Sequence, residues 1–306
     1  MSTDVTLPSD RSVTAQAAFI GQATAIEQAR AVAEVQAAVV VAQQVPRDMA
    51  RAIGEMRDSC GRMSLAKRAF YTVPNRGNGP SVHLARELAR IWGNIQFGVH
   101  ELRRDDDAGE SEVQAFAWDV QANTRSTRTF IAPHARMKTV AGKKTREALV
   151  DLGDIYLSNQ NTGARAVREC IFTVLPTWFT EEAQDVCRST IENGEGVPLE
   201  QRITNMIGAF ATIRISVEQL ETKTGRRRGQ WTAGDVADLT IAYTSVTRDG
   251  LDKDEVFPPK RVTVDEIKPA ARGRQAPEPA AVVEDPPAGF EDEAEWPPVA
   301  SVGGER

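Results

Sequence analysis

Three consecutive segments in which apolar and polar residues alternate constrain the fold of this chain more than any other feature of its sequence. Alternation with a period of two places one set of side chains on each face of a β-strand. The segments are separated only by short connections, so neighbouring strands are predicted to pair antiparallel. The predicted strands lie near residues 95–102, 111–120 and 124–132. The sequence therefore predicts an antiparallel β-meander.

The second predicted strand carries different side chains on its two faces. Val113, Ala115 and Ala117 lie on one face, and Phe116 and Trp118 lie on the other. Trp118 belongs either to the core or to a surface on which nucleic-acid bases stack. Alternation by itself leaves both interpretations open.

Helices are predicted on both sides of the meander along the chain. Within the segment Ala25–Gln44, apolar residues recur at spacings of three and four at Val32, Val35, Val39 and Ala42. This narrow stripe predicts contact with another helix, either in the core of the same chain or between subunits.

The C-terminal half predicts a small bundle of three helices between residues 197 and 250. Capping boxes at Ser216–Gln219 and Thr232–Asp235 mark the starts of its second and third helices. Beyond Phe257 the chain becomes rich in Pro, Ala and acidic residues, which predicts a disordered tail.

The predicted fold class is therefore α+β, with a short antiparallel meander packed against helices. We divide the chain into a disordered arm, an α+β core, a small helical bundle and a disordered Pro- and acid-rich tail. Their predicted bounds are residues 1–24, 25–195, 196–250 and 251–306.

Charge is distributed unevenly along the chain, although the net charge is only -6. Between Cys60 and Cys170, 17 Lys and Arg outnumber 12 Asp and Glu, whereas from Asp249 to Arg306 there are 7 against 14. A basic middle followed by an acidic tail is typical of proteins that bind nucleic acid and limit their own non-specific binding.

The cysteines and the apolar segments indicate the compartment. Three widely spaced cysteines without a CxxC pair argue against a disulfide scaffold and against a zinc site. The first residues lack the apolar segment of a signal peptide, and the longest apolar run, 37–42, is too short to span a membrane. We therefore expect a cytoplasmic protein that does not enter membranes.

No pattern in the sequence supplies a complete catalytic site. The segment Ala141–Thr145 resembles a Walker loop, but it lacks the first glycine and has Lys144 where Ser or Thr is required. His83, His100 and His134 have no metal-ligand spacing. We predict no catalytic residue, no metal, no cofactor and no enzymatic activity.

Fixed positive charge and aromatic residues are concentrated in and after the meander. A cation placed on a phosphate releases counterions, and each stacked base adds about 1–3 kcal/mol. We expect the cations of the strands, of a following basic loop and of the next helix to line one exposed trough. The predicted DNA-binding residues are Arg125, Arg128, Arg136, Lys138, Lys143, Lys144, Arg146, Arg165 and Arg168. The predicted stacking residues are Trp118, Phe130 and Tyr71.

Several short segments resemble phage recombination proteins of the RecT/Redβ single-strand annealing family. The segments are Phe70–Pro74, Gly79–Ala85, Trp92–Asn94, Ala115–Asp119, Arg128–Phe130, Gly163–Arg168 and Ile171–Pro176. The resemblance covers about residues 45–250.

This resemblance implies an activity and a set of partners. It implies a homo-oligomeric ring or helical filament that holds single-stranded DNA in a basic groove and anneals complementary strands without ATP. It further implies a role in DNA recombination, in the host cytoplasm if a bacteriophage encodes the chain. An exonuclease or a host single-strand binding protein would be the partner of the acidic tail. The implied groove residues are Arg125, Arg128, Lys143, Lys144, Arg165 and Arg168.

Two alternatives remain at this point. The first is a metal-dependent nuclease that uses the carboxylates of Asp105–Asp107. The second is a non-catalytic structural protein in which the Ala- and Val-rich N-terminal helix drives assembly. Release of nucleotides from DNA would favour the first, and oligomers without affinity for oligonucleotides would favour the second.

Overall fold

The structure is a computed structural model that describes residues 22–74, 76–140 and 143–259. The predicted disordered arm falls almost entirely outside the described residues, as does the tail from residue 260 onward. The described part is mixed α+β, as expected, with ten helices and small antiparallel sheets. Of the described helices, none combines the length and the hydropathy needed to cross a lipid bilayer.

The helices and strands have the following bounds. The helices are α1 (Gln22–Gln44), α2 (Met49–Cys60), α3 (Met63–Ala66), α4 (Val82–Trp92), α5 (Leu152–Val174), α6 (Thr177–Asn193), α7 (Leu199–Thr212), α8 (Val217–Thr224), α9 (Ala233–Thr247) and α10 (Lys253–Val256). The strands are β1 (Phe70–Val73), β2 (Gly77–Pro80), β3 (Ile95–Asp105), β4 (Glu110–Asp119), β5 (Thr124–Pro133), β6 (Ala135–Val140) and β7 (Lys143–Ala148).

The predicted meander is present as a three-stranded antiparallel sheet in the order β3-β4-β5. Phe116 pairs with Gly98 on β3 and with Thr127 on β5, and Trp118 pairs with Gln96 and Arg125. The predicted strand bounds differ from the observed ones by at most three residues. The alternation was therefore a sound guide to both the pairing and the faces.

The segment predicted as a basic loop is instead a two-stranded antiparallel hairpin, formed by β6 and β7. Arg136 lies opposite Glu147 in this hairpin, and Arg136 Nε donates to Glu147 Oε2 at 2.9 Å. The side chain of Met137 is largely exposed. Polar residues alternate with few apolar ones along both strands, and none of the described side chains of this hairpin is buried. The sequence therefore lacks the apolar alternation that identifies a strand.

Helix α5 covers one face of the sheet and contacts all three strands. It is a single helix of 23 residues. Asp151 accepts hydrogen bonds from the backbone N–H groups of Gly153 and Asp154, which caps its N-terminus. Gly163 lies so close to Val99 that a Cβ atom at residue 163 would be 2.8 Å from both Val99 methyl carbons.

The apolar interior has two clusters that share helix α9. The first lies between the sheet, α2, α4, α5 and α6, and α9 contributes Ala237 and Ile241 to it. The second includes Val236 and Leu239 of α9 together with Phe210. The predicted three-helix bundle is therefore present as α7, α8 and α9, but it is not separated from the α+β core.

The predicted end of the bundle at residue 250 is too early. Val256 and Phe257 are buried in the second cluster, and the Phe257 ring centroid lies 5.1 Å from that of Phe210. Residues 251–257 therefore belong to the folded part of the chain. Their acidic composition concealed the two apolar residues that anchor them.

Helix α1 has little contact with the rest of the chain. Ala42 is buried, whereas Val32, Val35, Val40 and Val41 are exposed over about half of their surface. The predicted helix exists, but the described part of the chain does not cover most of its apolar residues.

Candidate nucleic-acid interface

The face of the sheet opposite α5, which we call the open sheet face, carries aromatic and polar side chains that remain accessible. The residues that alternate with these along the strands, such as Ala115 and Ala117 of β4, are on the other face and are fully buried beneath α5. The polar residues Gln96, His100, Arg125, Thr127 and Thr129 are exposed, whereas Gln114, Phe116 and Trp118 are half-buried.

Phe116 lies at the centre of this face, in the middle strand. Its ring is nearly parallel to that of His100, with 4.9 Å between the ring centroids and 3° between the planes. Gly98 is the residue opposite Phe116 on β3, and a Cβ atom there would lie 3.0 Å from Phe116 Cε1. The absence of a side chain at Gly98 therefore allows the Phe116 ring to lie across the neighbouring strand.

Trp118 and Arg125 form the other end of the open sheet face. They are directly opposite each other on β4 and β5, and the Arg125 guanidinium lies 5.9 Å from the centroid of the Phe116 ring. Trp118 Nε1 donates to Asn123 Oδ1 at 3.3 Å, which orients the indole. A recess of about 500 Å³ borders Trp118 and extends to the C-terminal end of α1.

A buried ion pair anchors this end of β4. Arg47 Nη2 donates to Asp119 Oδ2 at 2.8 Å, and both side chains are buried. The Arg47 guanidinium also lies 4.3 Å from the centroid of the Trp92 ring, and Trp92 Nε1 donates to the same carboxylate oxygen at 3.2 Å. Asp119 follows Trp118 in the strand, so this anchor fixes the backbone beneath the accessible indole.

The predicted cations whose side chains the structure describes do not line one trough, so that expectation is wrong for them. Arg125 lies on the open sheet face, whereas Arg165 lies on α5, which packs on the opposite face. Arg128 lies three residues after Arg125 along the edge strand β5, so its side chain is on the other face of the sheet, on the α5 side. Arg136 and Arg146 belong to the β6–β7 hairpin. Alternation along a strand and packing of a helix on one face send neighbouring cations to different sides of the molecule.

Two of the predicted arginines already have partners. Arg168 Nη2 donates to Glu169 Oε1 at 2.7 Å, and its guanidinium lies 4.7 Å from the centroid of the Tyr71 ring. One face of Tyr71 is therefore occupied by a cation, which disfavours the predicted role of Tyr71 in base stacking. Arg136 pairs with Glu147 as described above. The side chains of Lys138, Lys143 and Lys144 lie outside the described part of the structure.

Phe130 is also placed differently from the predicted stacking role. Its side chain is on the same face as that of Arg128, the α5 side of the sheet, and it packs against the first apolar cluster. Of the three predicted stacking residues, only Trp118 lies on the open sheet face. Phe116 and His100 were not selected from the sequence, although the alternation along β4 places Phe116 on the same face as Trp118.

The acidic turn that follows β3 has the contacts of a structural turn. Asp106 accepts a hydrogen bond from Arg104 Nε at 2.7 Å, and Asp105 pairs with Arg103 and accepts from the backbone N–H of Ala108. Within the described ranges, no group of three or more His, Cys, Asp or Glu side chains is arranged to hold a metal ion. The predicted nuclease alternative therefore gains no support from the arrangement of these carboxylates.

Ser111 and His134 form a contact that resembles part of a catalytic triad. Ser111 Oγ and His134 Nε2 are 2.8 Å apart, and Asp106 Oδ1 lies 3.9 Å from His134 Nδ1. However, Ser111 is fully buried on the α5 side of β4. A nucleophile must be reached by its substrate, so this contact is structural: it joins the ends of β4 and β5.

Comparisons with known proteins give no assignment. No protein-family model matches the chain, and neither curated proteins nor solved structures show significant similarity to it. The geometry of the open sheet face is therefore the main basis for a functional proposal.

Proposed function

We propose that this protein binds single-stranded DNA on its open sheet face and anneals complementary strands without ATP. The observation that carries the proposal is the group formed by Phe116, Trp118, His100 and Arg125 on an accessible antiparallel sheet. Aromatic rings stack on bases of any sequence, and an arginine among them neutralises the backbone phosphates. Antiparallel sheets with accessible aromatic residues are a recurrent platform for single-stranded nucleic acids.

Polar side chains around the aromatic residues favour a single strand over a duplex as the ligand. Gln96, Gln114, Thr127 and Thr129 supply donors and acceptors on the same face. Bases of a single strand can turn towards such groups, whereas the bases of a duplex are already paired. A strand held in this way has its phosphates partly neutralised, so a complementary strand approaches with less repulsion.

Annealing in this proposal involves no bond chemistry, and base pairing supplies the driving force. The chain would then act as a binding protein of the RecT/Redβ kind, whose segments the sequence resembles, with the β3-β4-β5 sheet and α5 as its annealing core. Association of several copies along one strand would multiply weak contacts per subunit. The exposed valines of α1 make it the candidate contact between copies.

The discriminating experiment is annealing of two complementary labelled oligonucleotides with ATP and Mg²⁺ omitted. The unchanged protein should accelerate annealing, and Trp118→Ala should weaken binding of a single strand by about 1–3 kcal/mol through the loss of one stacked base. Arg125→Gln should lower the slope of log K against log salt by about 0.7, the contribution of one phosphate contact.

Trp178→Ala provides the matched control for the aromatic residue. Trp178 is more exposed than Trp118, and it lies on α6 beside Trp92 and Phe179 rather than on the open sheet face. Equal affinities of the Trp118→Ala and Trp178→Ala variants would rule out the open sheet face. Oligomers that bind no oligonucleotide would favour the structural alternative instead.

A further inference from the structure

Three arginines lie near His83 in a part of the fold that does not contribute to the open sheet face, and one of them, Arg68, is in direct contact with it. Arg68 lies just before β1, His83 and Arg86 lie in the first two turns of α4, and Arg248 follows the last residue of α9. We call this group the arginine cluster.

Two hydrogen bonds hold these three elements side by side. The Ser81 hydroxyl, at the N-terminus of α4, donates to the carbonyl oxygen of Arg68. The backbone N–H of Thr72 on β1 donates to Ser245 Oγ on α9 at 2.9 Å. Arg248 is less than one helical turn from Ser245. The contact of Ser245 with β1 therefore also brings Arg248 close to Arg68, which lies just before β1.

The positive charge of the arginine cluster is not balanced by the described carboxylates. None of them is within ion-pair distance of Arg68, Arg86 or Arg248. Asp249 is the neighbouring acid, and burial raises its pKa against the lowering effect of Arg248 and Arg68. Arg68 and Arg248 therefore share one neighbouring carboxylate.

This environment favours the neutral form of His83. Arg68 Nη2 lies 3.1 Å from His83 Nδ1, and a guanidinium has no acceptor, so Nδ1 must accept this hydrogen bond. Burial, followed by the charges of Arg68, Arg248 and Arg86, lowers the pKa of His83. The neutral ring then carries its proton on Nε2, which is a further donor.

Arg68 also has a donor without an acceptor. Its Nε atom is buried, and no acceptor in the described residues lies within hydrogen-bond distance of it. Buried donors in proteins are almost always satisfied, by protein, water or ligand. An unsatisfied donor in a cluster of excess positive charge therefore indicates an anion as the missing partner.

We propose that the arginine cluster binds a phosphate group. Guanidinium groups form paired hydrogen bonds with phosphate oxygens, and a tetrahedral phosphate can accept from several donors that approach from different directions. The phosphate belongs either to the backbone of a nucleic acid or to a free phosphate ester. The site does not depend on the proposed function of the open sheet face.

The test is titration of the full chain with inorganic phosphate, at an ionic strength held constant with chloride. Phosphate should bind at one site and should raise the melting temperature above that measured in chloride, because a ligand that binds the native state stabilises it. Arg248→Gln should weaken phosphate binding by about tenfold or more, as expected for the loss of a charged hydrogen-bonding partner.

Two further variants distinguish a specific loss of phosphate binding from a folding defect. Arg68→Lys keeps the charge but removes the Nε donor, and it should also weaken phosphate binding. Arg227→Gln removes another exposed cation, from the loop between α8 and α9, and it should bind phosphate like the unchanged protein. Equal phosphate affinity of Arg248→Gln and Arg227→Gln, or equal stabilisation by chloride and phosphate, would overturn the proposal.

A labelled oligonucleotide distinguishes the two sources of phosphate. If the ligand is a nucleic-acid backbone, inorganic phosphate competes with the oligonucleotide, and Arg248→Gln lowers the salt slope by about 0.7. If the ligand is a free phosphate ester, Arg248→Gln loses phosphate binding but binds the oligonucleotide normally. Loss of oligonucleotide binding in Trp118→Ala with phosphate binding retained would separate this site from the open sheet face.

Discussion

At the scale of single residues, the buried ion pair of Arg47 and Asp119 makes the stability of the protein sensitive to one substitution. Asp119 accepts hydrogen bonds from Arg47 and Trp92 on one oxygen and from the backbone N–H of Ala122 on the other. Arg47 in turn donates to the carbonyl oxygens of Trp92 and Gly93. The ion pair thus joins β4 to the segment that leads into α2.

We expect Asp119→Asn to destabilise the protein by about 3–5 kcal/mol, because it leaves the Arg47 charge buried without its counterion. Urea unfolding measures this change in the free energy of unfolding. Asp107→Asn is the control, since Asp107 is exposed in the turn before β4, and it should change stability by no more than about 0.5 kcal/mol. Similar effects of the two substitutions would mean that the buried pair does not anchor β4.

His83 makes stability depend on pH in a direction that follows from its lowered pKa. In the unfolded chain, His83 takes up a proton near its ordinary pKa of 6.5, whereas in the folded chain it does so only at a lower pH. Stability is therefore lost as the pH falls through 6.5 towards the folded pKa, and the loss stops below it.

Removal of this imidazole should reduce that pH dependence. We expect His83→Gln to lose less stability than the unchanged protein between about pH 7.5 and pH 5.5, because glutamine does not titrate. The free energy of unfolding, measured in urea at both pH values, provides the comparison. Parallel losses in the two proteins would show that His83 titrates normally in the folded state.

At the scale of elements, the close contact between α5 and β3 depends on a glycine. Glycine disfavours a helix by about 1 kcal/mol relative to alanine, so Gly163 has a cost to α5. The contact with Val99 explains its presence, since an added Cβ would lie 2.8 Å from both methyl carbons of a stiff β-branched side chain.

We therefore expect Gly163→Ala to destabilise the protein despite the better helix propensity of alanine. Overpacking of a close interface costs about 1–3 kcal/mol, which exceeds the gain in helix propensity. The comparison is with Gly208→Ala on α7, where an added Cβ meets no atom within 4 Å. Thermal unfolding should show a lower melting temperature for the first variant and a higher one for the second.

At the scale of the whole molecule, the shared helix α9 links the two apolar clusters. It contributes Ala237 and Ile241 to the first cluster and Val236, Leu239 and Ala242 to the second. A helix buried on two sides cannot unfold from one cluster without exposing the other. The predicted division at residue 196 therefore does not separate two independent folding units.

We expect Phe210→Ala, in the second cluster, to lower the stability of the first cluster as well. The substitution removes a fully buried ring and should cost about 3–5 kcal/mol. Hydrogen exchange of the β4 amides should accelerate together with that of the α7 amides, as global unfolding requires. Faster exchange confined to α7 and α8 would instead indicate independent units.

The local patterns of the sequence determined the elements of this fold. Alternation predicted β3, β4 and β5 and the faces of Phe116 and Trp118, and both predicted capping boxes are formed. These features depend on residues that are neighbours along the chain or within one helical turn. They are therefore determined before any distant segment contributes.

Only the tertiary structure decided which residues come together. Alternation separates two faces of a strand, but the packing of α5 determined that Ala115 is buried and Phe116 is accessible. Arg125 and Arg165 were expected on one surface and lie on opposite sides of the sheet. Arg68 and Arg248, which are 180 positions apart in the sequence, come together through contacts of β1 with α4 and α9. Such juxtapositions depend on long-range packing, for which the local sequence carries no signal.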